Sequence, residues 1–143
     1  MLTSLLFGSL MIVANMGVQV FVILLLISAL MRRFGGSTEP LTLAQDTRVL
    51  SEVLLVLFIG HFVQCATWAV LFLFLGEFAD MRTALYHSIV NFASLGYGDI
   101  VMSEQWRMLG ALEALNGVLM LGLSSGTLLA LMTNLFSRHS NHP

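Results

Sequence analysis

Three apolar runs dominate this chain and limit what it can fold into: Leu2 to Met31, Val49 to Phe78 and Gln105 to Phe136. As helices, runs of about 30 residues reach about 45 Å, more than the hydrocarbon thickness of a bilayer, about 30 Å. In water such segments need a large core to hide in. A chain of 143 residues, 57% hydrophobic and 10% charged, cannot build one; ordinary soluble domains are about 25% charged. With a mean hydropathy of +0.90, the composition excludes a soluble enzyme and a disordered tail and marks an all-α membrane protein. The net charge of −2, with six basic residues that are all arginine, gives a nucleic acid nothing to bind. The first run has no basic residue ahead of it and is about twice the length of a signal-peptide core, so it is expected to be retained as a membrane helix. The lone cysteine, Cys65, lies inside the second run and reads as a small buried hydrophobe.

We refer to the three runs as the outlying, outer and inner helices. The polar linker over 32–48 contains Gly35, Gly36, Ser37 and Pro40, and Thr42 or Asp46 could cap the helix that follows. Arginines 32, 33, 48 and 138 flank one side of the predicted spans; only Arg82 and Arg107 flank the other. Positive-inside counting therefore expects a cytoplasmic linker and C-terminal tail (137–143) and an external N-terminus. His139 and His142 in that tail read as solvated rather than as a metal site.

The segment between the second and third runs has a different character. Met81, Ala84, Leu85, Ser88 and Ile89 recur at helical spacing, but Asp80 to Val90 reaches only about 17 Å and cannot cross a bilayer. A glycine-punctuated stretch follows. A half-length helix and irregular backbone between two full spans predict a re-entrant loop, tolerated only where protein or a water-filled cavity surrounds it. The pattern already implies an aqueous path.

Ser94-Leu95-Gly96-Tyr97-Gly98-Asp99 resembles the potassium-channel signature, usually TVGYGD. A Gly-Tyr-Gly-Asp string arises by chance about once in a thousand chains of this length, and its position after a half-length helix makes the match more specific. The resemblance covers about 49–136, the pore module of a two-helix channel, with the outlying helix (1–31) as an addition. It implies an outer helix over 49–78, a pore helix over 80–91, a filter over 94–99 and an inner helix over 105–136. Four identical subunits would surround one axis, in keeping with the closed symmetry usual for homo-oligomers. The implied activity is passive K⁺ conduction in the plasma or bacterial inner membrane, with lipids and permeant K⁺ as partners, no nucleic acid and no cofactor.

The chemistry follows from the residue types. A dehydrated cation needs oxygens in place of its water shell. Glycine accepts positive φ, so Gly96 and Gly98 allow the carbonyls of Ser94, Leu95, Gly96 and Tyr97 to face one way. The Ser94 hydroxyl would add the innermost ligand, and Leu95 and Tyr97 would brace the strand against the pore helix, whose C-terminal dipole favours a cation. Serine and leucine stand where threonine and valine are usual, which raises a weakly selective cation pore as the second reading. Where some members carry a pore-helix glutamate this chain has Val90, so support for Asp99 falls to Tyr86 or His87.

On the inner helix, Gly117 matches the family's hinge glycine, although small residues also serve close packing. By alignment Val118, Leu121 and Ser125 face the cavity, and Leu129 or Thr133 forms the narrow cytoplasmic gate. His61 and Gln64 on the outer helix, with Glu113 and Asn116 on the inner one, are intramembrane polar residues and so candidates for function. Counted from the outer helix ends, Glu113 lies about 12 Å down and His61 about 25 Å down. That separates them and places Glu113 near Thr67, Trp68, Ser88 or Asn91, as hydrogen-bonding glue or, less favoured, as a proton sensor. The outlying helix is open to three roles: gating lever, assembly belt or lipid-facing passenger. No nucleophile with its base, HExxH motif or phosphate loop is present, so no enzyme is expected. A non-conducting helper subunit is the remaining alternative; a secondary transporter is disfavoured because no inverted repeat is evident.

Overall fold

The computed structural model describes residues 2–34 and 42–140. It is all-helical over those residues: α1 spans Leu2–Phe34, α2 Leu43–Phe74, α3 Met81–Phe92 and α4 Arg107–Ser140. α1, α2 and α4 are each long and apolar enough to cross a membrane; α3, with 12 residues, is not. The serine hydroxyl of Ser4 donates to the Gln105 carbonyl at 3.1 Å, so α1 and α4 start at the same end of the bundle and α2 runs against both. The linker glycines, Pro40 and His142 lie outside the described residues, as does the side chain of His139.

The helix boundaries differ from the sequence expectation for identifiable reasons. α2 begins at Leu43 rather than Val49 because Thr42 and Gln45 form a capping box: the Thr42 amide donates to Gln45 Oε1 at 2.8 Å and the Gln45 amide to Thr42 Oγ1 at 3.4 Å. An ion pair of 2.8 Å between Arg33 and Glu52 then ties the end of α1 to α2. α2 stops at Phe74 rather than Phe78 because Gly76, at φ 74°, closes a Schellman turn. The Gly76 amide donates to the Leu73 carbonyl and that of Glu77 to the Phe72 carbonyl, both at 3.0 Å. α4 continues to Ser140, four residues beyond its predicted end at Phe136.

The interior is layered. At the α3 end, Cys65, Trp68, Phe72, Phe92, Met102, Leu109 and Met120 form one buried apolar cluster, with Phe7, Met11 and Ile12 of α1 packed on it. At the far end, Leu26, Val53 and Leu57 form a second, with Val22, Leu30, Leu128 and Leu131 against it. Asn15, Gln19, Gln64 and Ser124 lie buried in sequence between the two.

α3 rests on α4 through glycine. A Cβ on Gly117 would overlap the carbonyl oxygen of Phe92 and sit 2.7 Å from its carbonyl carbon. The backbone of α3 thus meets the backbone of α4, and α4 passes through residue 117 as one helix. The described geometry gives this glycine a packing duty. Gly117→Ala is expected to destabilise the protein by about 1–3 kcal/mol or more. Gly17→Ala, where a Cβ meets nothing within 4 Å, should stabilise α1 by up to about 1 kcal/mol. Thermal melts of the two purified variants in one detergent check the contrast.

Candidate functional site

The site grows out of the end of α3. Asp80 caps its start, its carboxylate accepting from the Thr83 amide at 3.0 Å. At the other end the Ser94 amide donates to the Asn91 carbonyl at 2.8 Å and the Leu95 amide to the Val90 carbonyl at 2.9 Å. This too is a Schellman turn, with Ser94 in the left-handed position that glycine usually fills. φ is positive at Ser94 (57°), Gly96 (56°) and Gly98 (73°), and at neither Leu95 nor Tyr97. For serine that conformation costs about 1–2 kcal/mol.

Residues 94–98 therefore alternate in handedness and do not form a pleated strand. The Gly96 amide also turns back toward the Val90 carbonyl, at 3.4 Å, curling the segment over the helix end. Leu95 and Tyr97 are 53% and 66% exposed in the single chain.

Beyond the loop, the hydroxyl of Tyr86 donates to Asp99 Oδ2 at 2.7 Å. His87 Nδ1 lies 3.1 Å from the Ile100 carbonyl and its Nε2 2.7 Å from Asn91 Nδ2. One neutral tautomer satisfies both contacts: Nδ1–H donates to the carbonyl, and Nε2 accepts from the amide. Glu77 holds the next turn, accepting from the Ser103 amide at 2.8 Å and the Ser103 hydroxyl at 2.6 Å. Tyr86 and His87 thus divide the support: one holds Asp99, the other the backbone after it.

The hydrogen bond from Tyr86 holds the Asp99 carboxyl below its ordinary value of 3.8 and, reciprocally, raises the Tyr86 phenol above 10.0. A depressed carboxyl stabilises the folded loop fully above pH 3.8 and loses that contribution as pH falls through the lowered value. A raised phenol keeps its proton, and the contact, past pH 10. The Tyr86–Asp99 contact is therefore expected to persist across the neutral range and to fail only in strong acid. Tyr86→Phe should show at neutral pH the loop loosening that wild type shows only below about pH 4. Amide exchange of residues 96–102 across pH is the check.

Below the loop, Glu113 of α4 reaches Ser88 of α3, whose hydroxyl also lies 2.8 Å from the Cys65 carbonyl of α2. The residue is 0% exposed. One side chain thereby joins three elements directly beneath the loop. Asn116 is equally buried, and its amide atoms have no hydrogen-bond partner among the described residues. Glu113→Leu removes the acceptor and is expected to cost about 1–3 kcal/mol; Glu113→Gln, which keeps an oxygen there, should cost less. Chemical denaturation in mixed micelles separates the two.

The remaining predicted residues fall into two groups. Val118, Leu121, Ser125, Leu129 and Thr133 all lie exposed on α4 in the single chain, on a surface its own helices leave uncovered. His61 and Gln64 do not approach Glu113. Their partners are Ser124 and Gln19, in the polar layer between the two apolar clusters. Sequence reasoning had no partner for Asn15, Gln19 or Ser124. Their only signal was that each is polar within an apolar run.

A family model described as "Ion channel" matches residues 53–134, more than half of the chain. The match takes in α2 from Val53, all of α3 and the loop after it, and most of α4; α1 lies outside it. The protein therefore belongs to this ion-channel family, with an added N-terminal apolar helix. No curated protein and no solved structure matches the chain.

Proposed function

We propose that the protein is a potassium-selective channel in which four copies surround one axis and K⁺ passes down oxygens supplied by Ser94, Leu95, Gly96 and Tyr97. The observation that carries this reading is the alternation of positive φ at residues 94, 96 and 98 after a half-length helix. A pleated strand sends successive carbonyls to opposite sides; alternating handedness removes that opposition, so consecutive oxygens can share one direction. Serine tolerates the strained left-handed state at position 94 at an energetic cost, and strain of this kind is held where geometry matters to function.

One chain offers one side of such a cage, so the reading requires copies. The surface of α4 carrying Val118, Leu121, Ser125 and Leu129 is available for the cavity. Leu95 and Tyr97, exposed in one chain, would find their packing against a neighbour. Leu129 and Thr133 would form the narrow end, and Gly117 would keep the hinge role the family resemblance implies, in addition to its packing. The protein would sit as a multi-pass protein of the plasma or bacterial inner membrane, the loop end and N-terminus facing out and the arginines near 32–48 facing the cytoplasm. The permeant ion is substrate, and the reading calls for no cofactor and no enzymatic step.

The substitutions at Ser94 and Leu95 support a second reading, a pore that discriminates weakly between K⁺ and Na⁺. Threonine's methyl would stiffen the hydroxyl rotamer and valine would brace more rigidly; both are missing here. Purified protein in a planar bilayer, with potassium on one side and sodium on the other, decides. Reversal close to the potassium equilibrium potential is expected. Reversal near zero favours the weakly selective pore, and absence of current, with tetramers shown by mass measurement, favours a helper subunit. Gly96→Ala, which places a Cβ at φ 56°, should abolish conduction.

A further inference from the structure

The polar layer between the two apolar clusters links three helices by a chain of hydrogen bonds that begins and ends on α2. Gln64 Nε2 of α2 donates to Gln19 Oε1 of α1 at 2.7 Å. Gln19 Nε2 donates to Ser124 Oγ of α4 at 2.8 Å. The Ser124 hydroxyl, its own hydrogen still free, lies 2.9 Å from His61 Nε2, back on α2 one turn from Gln64. Gln19 and Gln64 are 0% exposed and Ser124 8%. All four residues lie near the midpoints of their helices, the depth at which an unpaired polar group is costliest.

The position of this circuit along α4 gives it a purpose. The half of α4 before Gly117 is held by α3, through Phe92 and Asn91. The half after it is held differently: Met120 packs in the first apolar cluster, the Ser124 hydroxyl accepts from Gln19, and Leu128 and Leu131 pack against Leu26 of α1 and Val53 and Leu57 of α2. α1 thus supports the half of the inner helix that the channel reading makes the gate. The circuit also touches the other end of the site, because the His61 ring lies 5.8 Å from that of Phe92, the last residue of α3.

We propose that Gln19, His61, Gln64 and Ser124 form a mid-membrane clamp through which α1 positions the second half of α4, and that this clamp sets the balance between open and closed pore. The inference rests on the channel reading above. Gln19 is the central positioning residue, because it is the one side chain that both accepts from α2 and donates to α4. A move of α4 at residue 124 must break the Gln19–Ser124 bond or carry α1 along. In either case α1 takes part in gating.

The test uses the full chain reconstituted in bilayers and, in parallel, in nanodiscs. Ser124→Ala and Gln19→Leu are expected to shift open probability by about threefold to tenfold, the range that loss of one interhelical hydrogen bond in a membrane supplies. Unitary conductance and reversal potential, which report the filter, should stay unchanged. Ser124→Thr, which keeps the hydroxyl, should restore wild-type gating, and the double variant should shift no further than the larger single one. Unchanged open probability in Ser124→Ala, in a wild type that conducts, overturns the clamp. If Gln19→Leu does not assemble, the Ser124 pair still decides. If wild type passes no current, the channel reading fails on its own, and the clamp is judged by amide exchange over residues 121–128. Faster exchange in Ser124→Ala but not in Ser124→Thr supports it, and equal exchange refutes it.

Discussion

A helix as short as α3 that ends against longer helices leaves carbonyls in its last turn that must find partners, and the backbone around it answers that constraint. The chain turns back at once, so that the amides of Ser94 and Leu95 take the carbonyls of Asn91 and Val90. This turn forces Ser94 into the left-handed region and starts the alternation that continues through Gly96 and Gly98. The same helix end could approach α4 closely only where α4 has no side chain, at Gly117. The loop, the serine that begins it and the glycine behind it therefore follow from one problem of backbone satisfaction.

Lateral order comes from the alternation of apolar and polar layers. Apolar side chains do not by themselves choose one another over lipid, so packing and hydrogen bonds must specify which helix faces set together. Here the two apolar clusters fill space while the Gln19–Gln64–Ser124–His61 circuit selects the register of α1 against α2 and α4. Near the loop, Glu113 with Ser88 and the Cys65 carbonyl does the same for α2, α3 and α4. Each of the two polar sites ties together three elements, one through Ser88 of α3 and one near the midpoints of α1 and α4. The family match begins at Val53 and omits α1, yet the packing makes α1 part of the same interior.

Much of this was legible beforehand. The three long helices were evident from run length, and the short α3 from its spacing. Thr42 was readable as a cap, although it and Asp46 could be separated only once the Gln45 side chain was seen closing the box. The early end of α2 had a visible marker in Gly76 that hydropathy hid, because Phe74, Leu75 and Phe78 continue the apolar run past the turn. Glu113 could be placed near Ser88 by counting depth along helices. The partner of Gln19 could not be found that way. Two polar residues at matching depth can face each other or face apart, and only the rotation of α1 about its own axis decides which; that rotation is set by contacts such as Gly8 against Leu112 of α4 and Leu26 in the second apolar cluster.

The sequence alone therefore determined what is one-dimensional: the presence of three long helices and one short one, the glycines at 96 and 98 that permit positive φ, and membership of a membrane class. Those properties depend on neighbours within a few residues and on the thickness of a bilayer. Tertiary structure decided which polar groups meet, that Gly117 serves a backbone contact, that Leu95 and Tyr97 lie largely exposed in the single chain, and that α1 belongs to the interior. Each of these depends on helix rotation and offset, which short-range chemistry leaves free and which close packing and buried hydrogen bonds resolve.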